Sequence, residues 1–253
     1  MSQLLIPLHR TPGTETVCLG KLCGTDEMVF EDTSTETLVA FLESLMQKDV
    51  AQNKISATKI VISDRDRILA RLFISMYGSN VESTVPCTNC NEDFDISFSL
   101  EDLLNHYHPS HVIEKGNGTY ELENGTTFRL PNGEDEMSIR GMSASMAESL
   151  LLERCLIKGN PEADKERVQS KMEELAPVLN VDIEAKCPEC NHVQQVKFDM
   201  QSFFMMKLKQ ERATLFSEVH CLAATYHWSQ KEILELPRQV RKKYVELITG
   251  KHE

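Results

Sequence analysis

Residues 85–91 read Val-Pro-Cys-Thr-Asn-Cys-Asn, and residues 185–191 read Ala-Lys-Cys-Pro-Glu-Cys-Asn. The first stretch leads into FDISFSLEDLL and the second into VQQVKFDMQSFF, so that both continue with alternating apolar residues and then a short run with helical spacing. The two segments match at a constant offset of one hundred residues. The sequence therefore predicts a duplicated unit in which a Cys-x-x-Cys turn precedes a strand and a helix.

The spacing within each Cys-x-x-Cys turn predicts half of a metal site. Two intervening residues allow a tight turn to direct both sulfur atoms at one cation. A structural zinc ion takes four ligands in a tetrahedron, so the two turns together would complete one closed site. We therefore predict a structural Zn²⁺ site whose metal contributes to folding free energy and whose ligands are Cys87, Cys90, Cys187 and Cys190.

Three other interpretations of these cysteines stay open at this stage. The turns could form separate sites, with His192 beside the second and His106 or His108 after the first. They could be redox pairs, although a thioredoxin-like pair lies between a strand and a helix, whereas each pair here precedes a predicted strand. They could also be metal-free remnants of a repeat. Cys155 and Cys221 lie in helical apolar patterns and are predicted to be packing residues.

Composition and charge exclude several classes of function. The chain has 253 residues, a formal net charge of −12 and a sequence pI near 5.2, which opposes binding to nucleic-acid phosphates and anionic membranes. It has no apolar run of about 18 residues that would span a membrane. Its first residues lack the basic and long apolar regions of a secretory signal, so we expect a cytoplasmic protein whose cysteines are not disulfide-bonded.

Periodicity along the chain predicts an α+β fold that is mostly helical. Ser63 and Asp66 fit a capping box that would open the second predicted helix. Turn signals at 112–130 predict a β-hairpin or small meander. Before the last forty residues, the spacing of apolar residues predicts helices at Leu38–Met46, Arg65–Tyr77, Met142–Ile157 and Pro161–Leu179.

The chain is predicted to divide into three parts. Residues 1–58 form an N-terminal segment with one helix, and residues 59–210 form the core with the duplicated zinc knuckles. Residues 211–253 form a helical block that packs on this core. Aromatic and basic side chains of that block are predicted to bind a partner protein with an acidic surface, and these are Tyr226, Trp228, Arg238, Arg241, Lys242 and Tyr244. The aromatic rings would also serve partly for packing, and for Trp228 a place in the core is favoured over a place in the interface.

The motifs of common enzymes are absent from the sequence. It contains no Walker A, Gly-x-Ser-x-Gly, His-Glu-x-x-His or dinucleotide-binding glycine motif, and we expect no enzymatic activity. Three histidines between His106 and His111 could serve a metalloenzyme, but their place at a helix exit beside proline favours a solvated loop. The basic helix after Pro237 could instead belong to a zinc-dependent regulator that binds nucleic acid, which the acidic chain disfavours.

Several segments, taken in order, resemble a known family. They are RDRILARLFISMYG at 65–78, the first Cys-x-x-Cys, FRLP at 128–131, LLERCL at 151–156, the second Cys-x-x-Cys, FF at 203–204 and the block Glu218–Ile248. With them the chain resembles the T-even-type baseplate hub assembly family of contractile phages and phage-derived injection systems. The resemblance spans roughly residues 60–250, and the first 58 residues match nothing.

The resemblance implies a non-enzymatic role in building the baseplate. The protein would be an assembly chaperone or a minor structural component, and its partners would be other baseplate or hub proteins. It would act in the bacterial or infected-host cytoplasm or be incorporated into the tail particle. An acidic chain that is clamped internally by metal and ends in amphipathic helices agrees with this role.

Overall fold

The computed structural model describes residues 4–30, 32–47, 55–109 and 117–250. Helices and small antiparallel sheets alternate along these residues, which confirms the predicted mixture of helix and strand. Each sheet in the described part of the chain has two or three strands. None of the described helices is both long and apolar enough to cross a membrane.

The secondary-structure elements are numbered along the chain. In order they are β1 (Leu4–Pro7), β2 (Thr16–Leu19), α1 (Gly24–Glu27), α2 (Thr35–Gln47), a 3-10 turn (Ala57–Lys59), α3 (Ile62–Tyr77), β3 (Asn80–Pro86), β4 (Asp93–Ser99), α4 (Leu100–His106), β5 (Thr119–Glu121), β6 (Thr127–Arg129), α5 (Gly133–Ser138), α6 (Ala144–Cys155), β7 (Leu156–Lys158), α7 (Lys165–Leu175), β8 (Asn180–Lys186), β9 (Val193–Asp199), α8 (Met200–Tyr226), α9 (Gln230–Glu235) and α10 (Arg238–Thr249).

The chain contacts divide these elements into two compact units. Unit 1 takes the described residues of Met1–Pro7, Thr16–Lys59 and Phe204–Glu253, and unit 2 takes Leu8–Glu15 and Ile60–Phe203. Segments from both ends of the sequence therefore belong to unit 1. The three-part division expected from the sequence stays a prediction about domains.

Within unit 2, the duplicated sequence forms two matching β-hairpins. β3 pairs with β4 and β8 pairs with β9, both antiparallel, and the first pairs are Asn80 with Ser99 and Asn180 with Asp199. All strand bounds of the second hairpin lie one hundred residues after those of the first. Each Cys-x-x-Cys segment is thus the turn of a hairpin. The strand after each turn was predicted, whereas β3 and β8 before the turns were missed.

The rest of unit 2 builds its own core around the sheet β5-β6-β7. The fully buried Phe128 ring stacks on Tyr120 with 5.8 Å between ring centroids. β5 and β6 form a hairpin within the predicted region 112–130, of which residues 112–116 lie outside the described part of the chain. The helix predicted to reach Ile157 ends at Cys155, because Leu156 pairs with Phe128 in the sheet.

The predicted capping box at the start of α3 is wrong. The N-cap is Val61 and the helix begins at Ile62, so that Ser63 lies inside the helix. The Asp66 side chain does not return to the helix start but accepts a hydrogen bond from the backbone N–H of Leu179 at 2.9 Å. Local sequence predicted the helix, and a residue 113 positions away determines the role of Asp66.

Other charged side chains of this first turn also bind separate segments of unit 2. Asp64, which is fully buried, accepts hydrogen bonds from the backbone N–H groups of His9, Arg10 and Thr11 at 2.7–2.9 Å. Arg65 donates to Glu136 at 2.5 Å and to Gln201 at 2.7 Å. Buried charges persist only when they are paired or hydrogen-bonded, so this turn ties distant parts of unit 2 together.

Unit 1 has a smaller sheet and a largely helical core. β1 pairs with β2, and the apolar face of α2 is buried, as the predicted helix at Leu38–Met46 requires. Phe41 of α2 contacts Phe30 and Phe204, with ring centroids 4.7 and 6.0 Å apart. The three rings are fully buried and form the centre of this core.

Candidate metal centre

The two Cys-x-x-Cys turns have the same backbone hydrogen bonds. In each, the N–H of the first cysteine donates across the turn at 2.9 Å, and the N–H of the following asparagine donates to the carbonyl of the first cysteine at 3.0 Å. Asn91 and Asn191 have φ angles of 60° and 58°. Asparagine enters this left-handed region more readily than most residues with a side chain, which explains why it follows both turns.

The structure brings the four predicted ligand sulfurs into one group. The Sγ atoms of Cys87 and Cys190 are 3.6 Å apart and those of Cys90 and Cys187 are 3.8 Å apart. All four sulfurs lie within 4.8 Å of one another. Four sulfurs bound tetrahedrally at the usual Zn–S length of about 2.3 Å would be about 3.8 Å apart. The donor set therefore fits a metal ion with a preference for soft ligands.

The surroundings of the sulfurs close the site on one side. Cys87 and Cys187 are almost completely buried, whereas Cys90 and Cys190 are partly exposed. The buried pair belongs to an apolar cluster with Phe94 of β4. Each hairpin therefore contributes one buried and one partly exposed ligand, in keeping with the duplication.

Hydrogen bonds between the hairpins support the grouping. The Gln194 side chain accepts a hydrogen bond from the N–H of Thr88 at 2.8 Å and donates to the carbonyl oxygen of Pro86 at 3.0 Å. The His192 ring lies 3.1 Å from the Thr88 hydroxyl. Because the sulfurs of both turns share one group, the interpretation with two separate sites does not fit.

Hydrogen bonds around the cluster favour ionisation of the Cys190 thiol. Hydrogen bonds from the Asn89 side chain and from the backbone N–H of His192 lower the pKa of Cys190 to about 6. Four adjacent thiolates repel one another, so that the thiols cannot all ionise together without a cation. A bound divalent cation would remove this restraint, because metal ligation deprotonates thiols.

The histidine alternative receives no support from the described residues. His106 and His108 are exposed at the end of α4, and His111 lies outside the described part of the chain. The His9 and His108 rings contact edge to face, with centroids 5.2 Å apart. Among the described residues, the four cysteines form the group of three or more candidate ligands that could hold a metal ion.

The predicted partner-binding aromatics form one group on unit 1. The rings of Tyr226 and Trp228 stack with centroids 5.0 Å apart, and Tyr244 contacts Trp228 edge to face at 5.1 Å. All three rings are partly solvent-accessible. Val240 and Leu247, which lie with Tyr244 on helix α10, are also exposed. The prediction that this aromatic group binds a partner stays a prediction.

The predicted partner-binding arginines are buried in ion pairs inside unit 1. Arg238 pairs with Glu27 at 2.5 Å and with Glu211, and Arg241 pairs with Glu27 at 2.6 Å and with Glu218 at 2.6 Å. None of these glutamates was predicted from the sequence, and Glu27 lies more than two hundred positions from both of its arginines. Half-buried Lys242 is the remaining basic residue of the predicted set.

Comparison with known proteins gives one family. The chain matches the family described as T4 bacteriophage base plate protein over residues 28–205, which include both hairpins and all four cysteines of the cluster. No curated protein and no solved structure matches the chain. The match starts before the region expected from the resemblance and ends before the block Glu218–Ile248. Because it covers more than half of the sequence, the chain belongs to the T4 bacteriophage base plate protein family.

Proposed function

We propose that the chain is a non-enzymatic structural or assembly component of the base plate of a contractile tail, in a phage or a phage-derived injection system. The family match over residues 28–205 is the observation that carries this proposal. The protein would be made in the bacterial or infected-host cytoplasm. It would work there as a chaperone on other hub or wedge proteins or join the tail particle with them.

In this proposal the four-cysteine cluster holds a structural Zn²⁺ ion. The separations of 3.6 and 3.8 Å between sulfurs support zinc, because they match a tetrahedral set of thiolates. Four protein ligands leave no coordination position for a substrate, so the ion would link the hairpins and take no part in a reaction. Its role would be to hold β3-β4 and β8-β9 in one arrangement as a rigid body for docking.

The aromatic group of Tyr226, Trp228 and Tyr244 is the partner surface of this proposal. Tyrosine and tryptophan rings are large, rigid and amphipathic, and they often carry much of the energy of a protein interface. Exposed Val240 and Leu247 extend the apolar surface along α10. Lys242 and the exposed Lys243 add positive charge, which favours an acidic surface on the partner.

The assembly role is tested by co-expression with the products of the tail genes that neighbour this gene. We expect a stable complex with a hub or wedge protein in size-exclusion chromatography, and the same protein in tail particles or their precursors. A gene without tail genes around it, together with no complex with any base plate protein, would contradict the proposal.

The identity of the metal is tested on the purified full chain. Native mass spectrometry and elemental analysis are expected to find one zinc ion per chain, which disappears in Cys187→Ser. Cys221→Ser is the matched control, since Cys221 is a free thiol outside the cluster and its variant should keep the zinc. Another metal, or a metal content that does not depend on Cys187, would overturn the zinc assignment.

A further inference from the structure

A cleft of about 510 Å³ opens in unit 2 beside the start of β8. The first turn of α3, the end of α7 and the residues after β6 form its other walls. The lining is mostly apolar and includes Tyr107, Leu130, Met172, Ala176 and Val181. Its volume and apolar walls suit one or two side chains of a bound segment.

The edge of β8 beside this cleft carries backbone groups that no strand uses. β8 belongs to a two-stranded sheet and pairs with β9 alone among the described residues. Met200 N–H donates to the Leu179 carbonyl at 2.9 Å, which makes Asn180 and Asp199 a non-hydrogen-bonded pair. Such pairs alternate with hydrogen-bonded pairs along an antiparallel sheet, so Asp182 lies in the same kind of pair as Asn180. The N–H and C=O groups of both residues therefore point away from β9, and both residues line the cleft.

A buried hydroxyl in the cleft wall also needs a partner. Ser63 is 1 % exposed, lines the cleft, and its Oγ has no hydrogen-bond partner among the described residues. Leaving a buried hydroxyl unpaired destabilises the folded state. A polar group of an occupant would remove this cost.

Charge indicates which kind of segment fits. Glu173 and Asp182 are the charged residues that line the cleft, and both are exposed acids. Neither carboxylate has an ion-pair partner in the described part of the chain. A lysine or arginine of the occupant would therefore find complementary charge at the rim, where an acidic segment would be repelled.

We propose that this cleft binds an extended, basic segment of another tail protein, which adds as a strand to the free edge of β8 and places an apolar side chain in the cleft. Main-chain hydrogen bonds to Asn180 and Asp182 would supply affinity, and the pocket and its acidic rim would supply specificity. This inference rests on the proposed function and names the class of partner segment.

Peptide binding to the full-length chain tests the proposal directly. The probes are the acetylated and amidated pentapeptides Lys-Val-Leu-Val-Lys and Glu-Val-Leu-Val-Glu, followed through the backbone amide resonances of the isotope-labelled protein. We expect the lysine peptide to shift the resonances of Asn180, Asp182 and Ser63 and to bind at least about tenfold more tightly than the glutamate peptide. No shift of these resonances at millimolar peptide would overturn the proposal.

Matched variants of the two hairpins locate the binding edge. Asn180→Pro removes an edge N–H and is expected to weaken binding of the lysine peptide about tenfold or more. Asn80→Pro makes the same change at the corresponding position of the first hairpin and should leave binding unchanged. Asp182→Lys and Glu82→Lys form a second pair, in which only the first should weaken binding. Equal effects of the two proline variants would contradict strand addition at β8, and equal effects of the two lysine variants would contradict recognition by the acidic rim.

The same variants separate this inference from the proposed function. If the unmodified protein forms a base plate complex and Asn180→Pro and Asp182→Lys form it equally well, the cleft proposal fails and the assembly role stands. If the unmodified protein forms no such complex, the proposed function fails, whatever the peptides do.

Discussion

The Sγ atoms of Cys87 and Cys190 lie 3.6 Å apart, although 103 positions separate the two residues along the chain. Bringing such distant residues together costs the unfolded chain considerable entropy, which the bound metal would offset. Since each hairpin supplies two ligands, losing a ligand from either hairpin should have the same consequence.

Loss of one ligand is therefore expected to destabilise unit 2. Cys187→Ser should lower the free energy of unfolding by about 3 kcal/mol or more, because the closed metal site is lost. Thermal denaturation with and without a chelator measures this, and the variant should no longer respond to the chelator. Cys90→Ser should behave alike, whereas Cys221→Ser should resemble the unmodified protein. A Cys187→Ser protein as stable as its parent would refute a metal clamp.

The asparagine after each turn gives a second prediction. Asn191 has a φ of 58°, so Asn191→Ala should cost about 1 kcal/mol of stability, since alanine is strained in the left-handed region. Asn191→Gly should cost less, because glycine adopts positive φ freely. Urea denaturation compares the two variants, and Asn91 offers the same comparison in the other hairpin. Greater loss for glycine than for alanine would show that the side chain, not the backbone angle, matters.

The sequence predicted the cysteine cluster because its evidence is local and repeated. A two-residue gap defines each ligand pair, and the constant offset links Cys87 with Cys187 before any contact is known. The strands before the turns were missed although exposed and more buried positions alternate in them, with Glu82 in β3 and Glu184 in β8 at exposed positions. Pairing with β4 and β9 stabilises these strands, and pairing is a non-local property.

Buried charges were the other feature that sequence patterns could not predict. The basic residues after Pro237 were predicted to bind an acidic surface of a partner protein, yet Arg241 is 1 % exposed. Its partner Glu27 lies near the other end of the chain, so no spacing rule connects the two residues. The predicted capping box at the start of α3 was wrong for the same reason, since Asp66, which was expected to cap the helix, accepts a hydrogen bond from the distant Leu179.

Stability is expected to depend on pH through Asp66. Burial raises the pKa of this carboxyl to about 7, against the opposing effects of the Arg65 charge and the Leu179 hydrogen bond. The folded state thus holds a proton that the unfolded chain releases near its ordinary pKa of about 3.9. The free energy of unfolding should therefore fall as the pH rises from about 4 to about 7.

Asp66→Asn tests this dependence. Asparagine keeps an oxygen that can accept the Leu179 N–H but carries no charge, so the variant should be more stable than its parent at about pH 8 and similar at about pH 4. Asp64→Asn is the control, because Asp64 accepts three backbone N–H groups and an amide should cost about 1–3 kcal/mol at either pH. Urea denaturation at both pH values distinguishes the two variants. If the free energy of unfolding of Asp66→Asn falls with rising pH as much as that of its parent, Asp66 is not the source of the pH dependence.

The buried ion pairs of unit 1 give a fourth prediction. Glu27 accepts from both Arg238 and Arg241, so Glu27→Gln removes one of the two carboxylates that pair with each buried guanidinium group and should cost about 1–3 kcal/mol. The exposed pair of Lys231 and Glu235, whose charged atoms are 3.8 Å apart, is the control. Lys231→Ala should change stability by less than about 1 kcal/mol. Urea denaturation measures both, and equal effects would mean that burial does not set the contribution of these pairs.

The aromatic group offers the most direct test of the proposed partner surface. Trp228 is the only tryptophan of the chain and stacks on Tyr226, so its fluorescence reports on this group alone. Binding of a base plate partner that lacks tryptophan should shift its emission to shorter wavelength as water is excluded. Trp228→Ala should weaken the complex by about 2 kcal/mol or more, as expected of an interface hot spot.

Two controls keep this last prediction separate from misfolding. Phe216 is an exposed aromatic on α8 of the same unit, so Phe216→Ala should leave the affinity unchanged if the interface is confined to the aromatic group. Trp228→Phe retains a ring that can stack on Tyr226 and should recover part of the affinity lost in Trp228→Ala. A complex that forms equally well with Trp228→Ala would exclude this group from the interface, because truncating a central aromatic residue of an interface removes both its buried area and its packing.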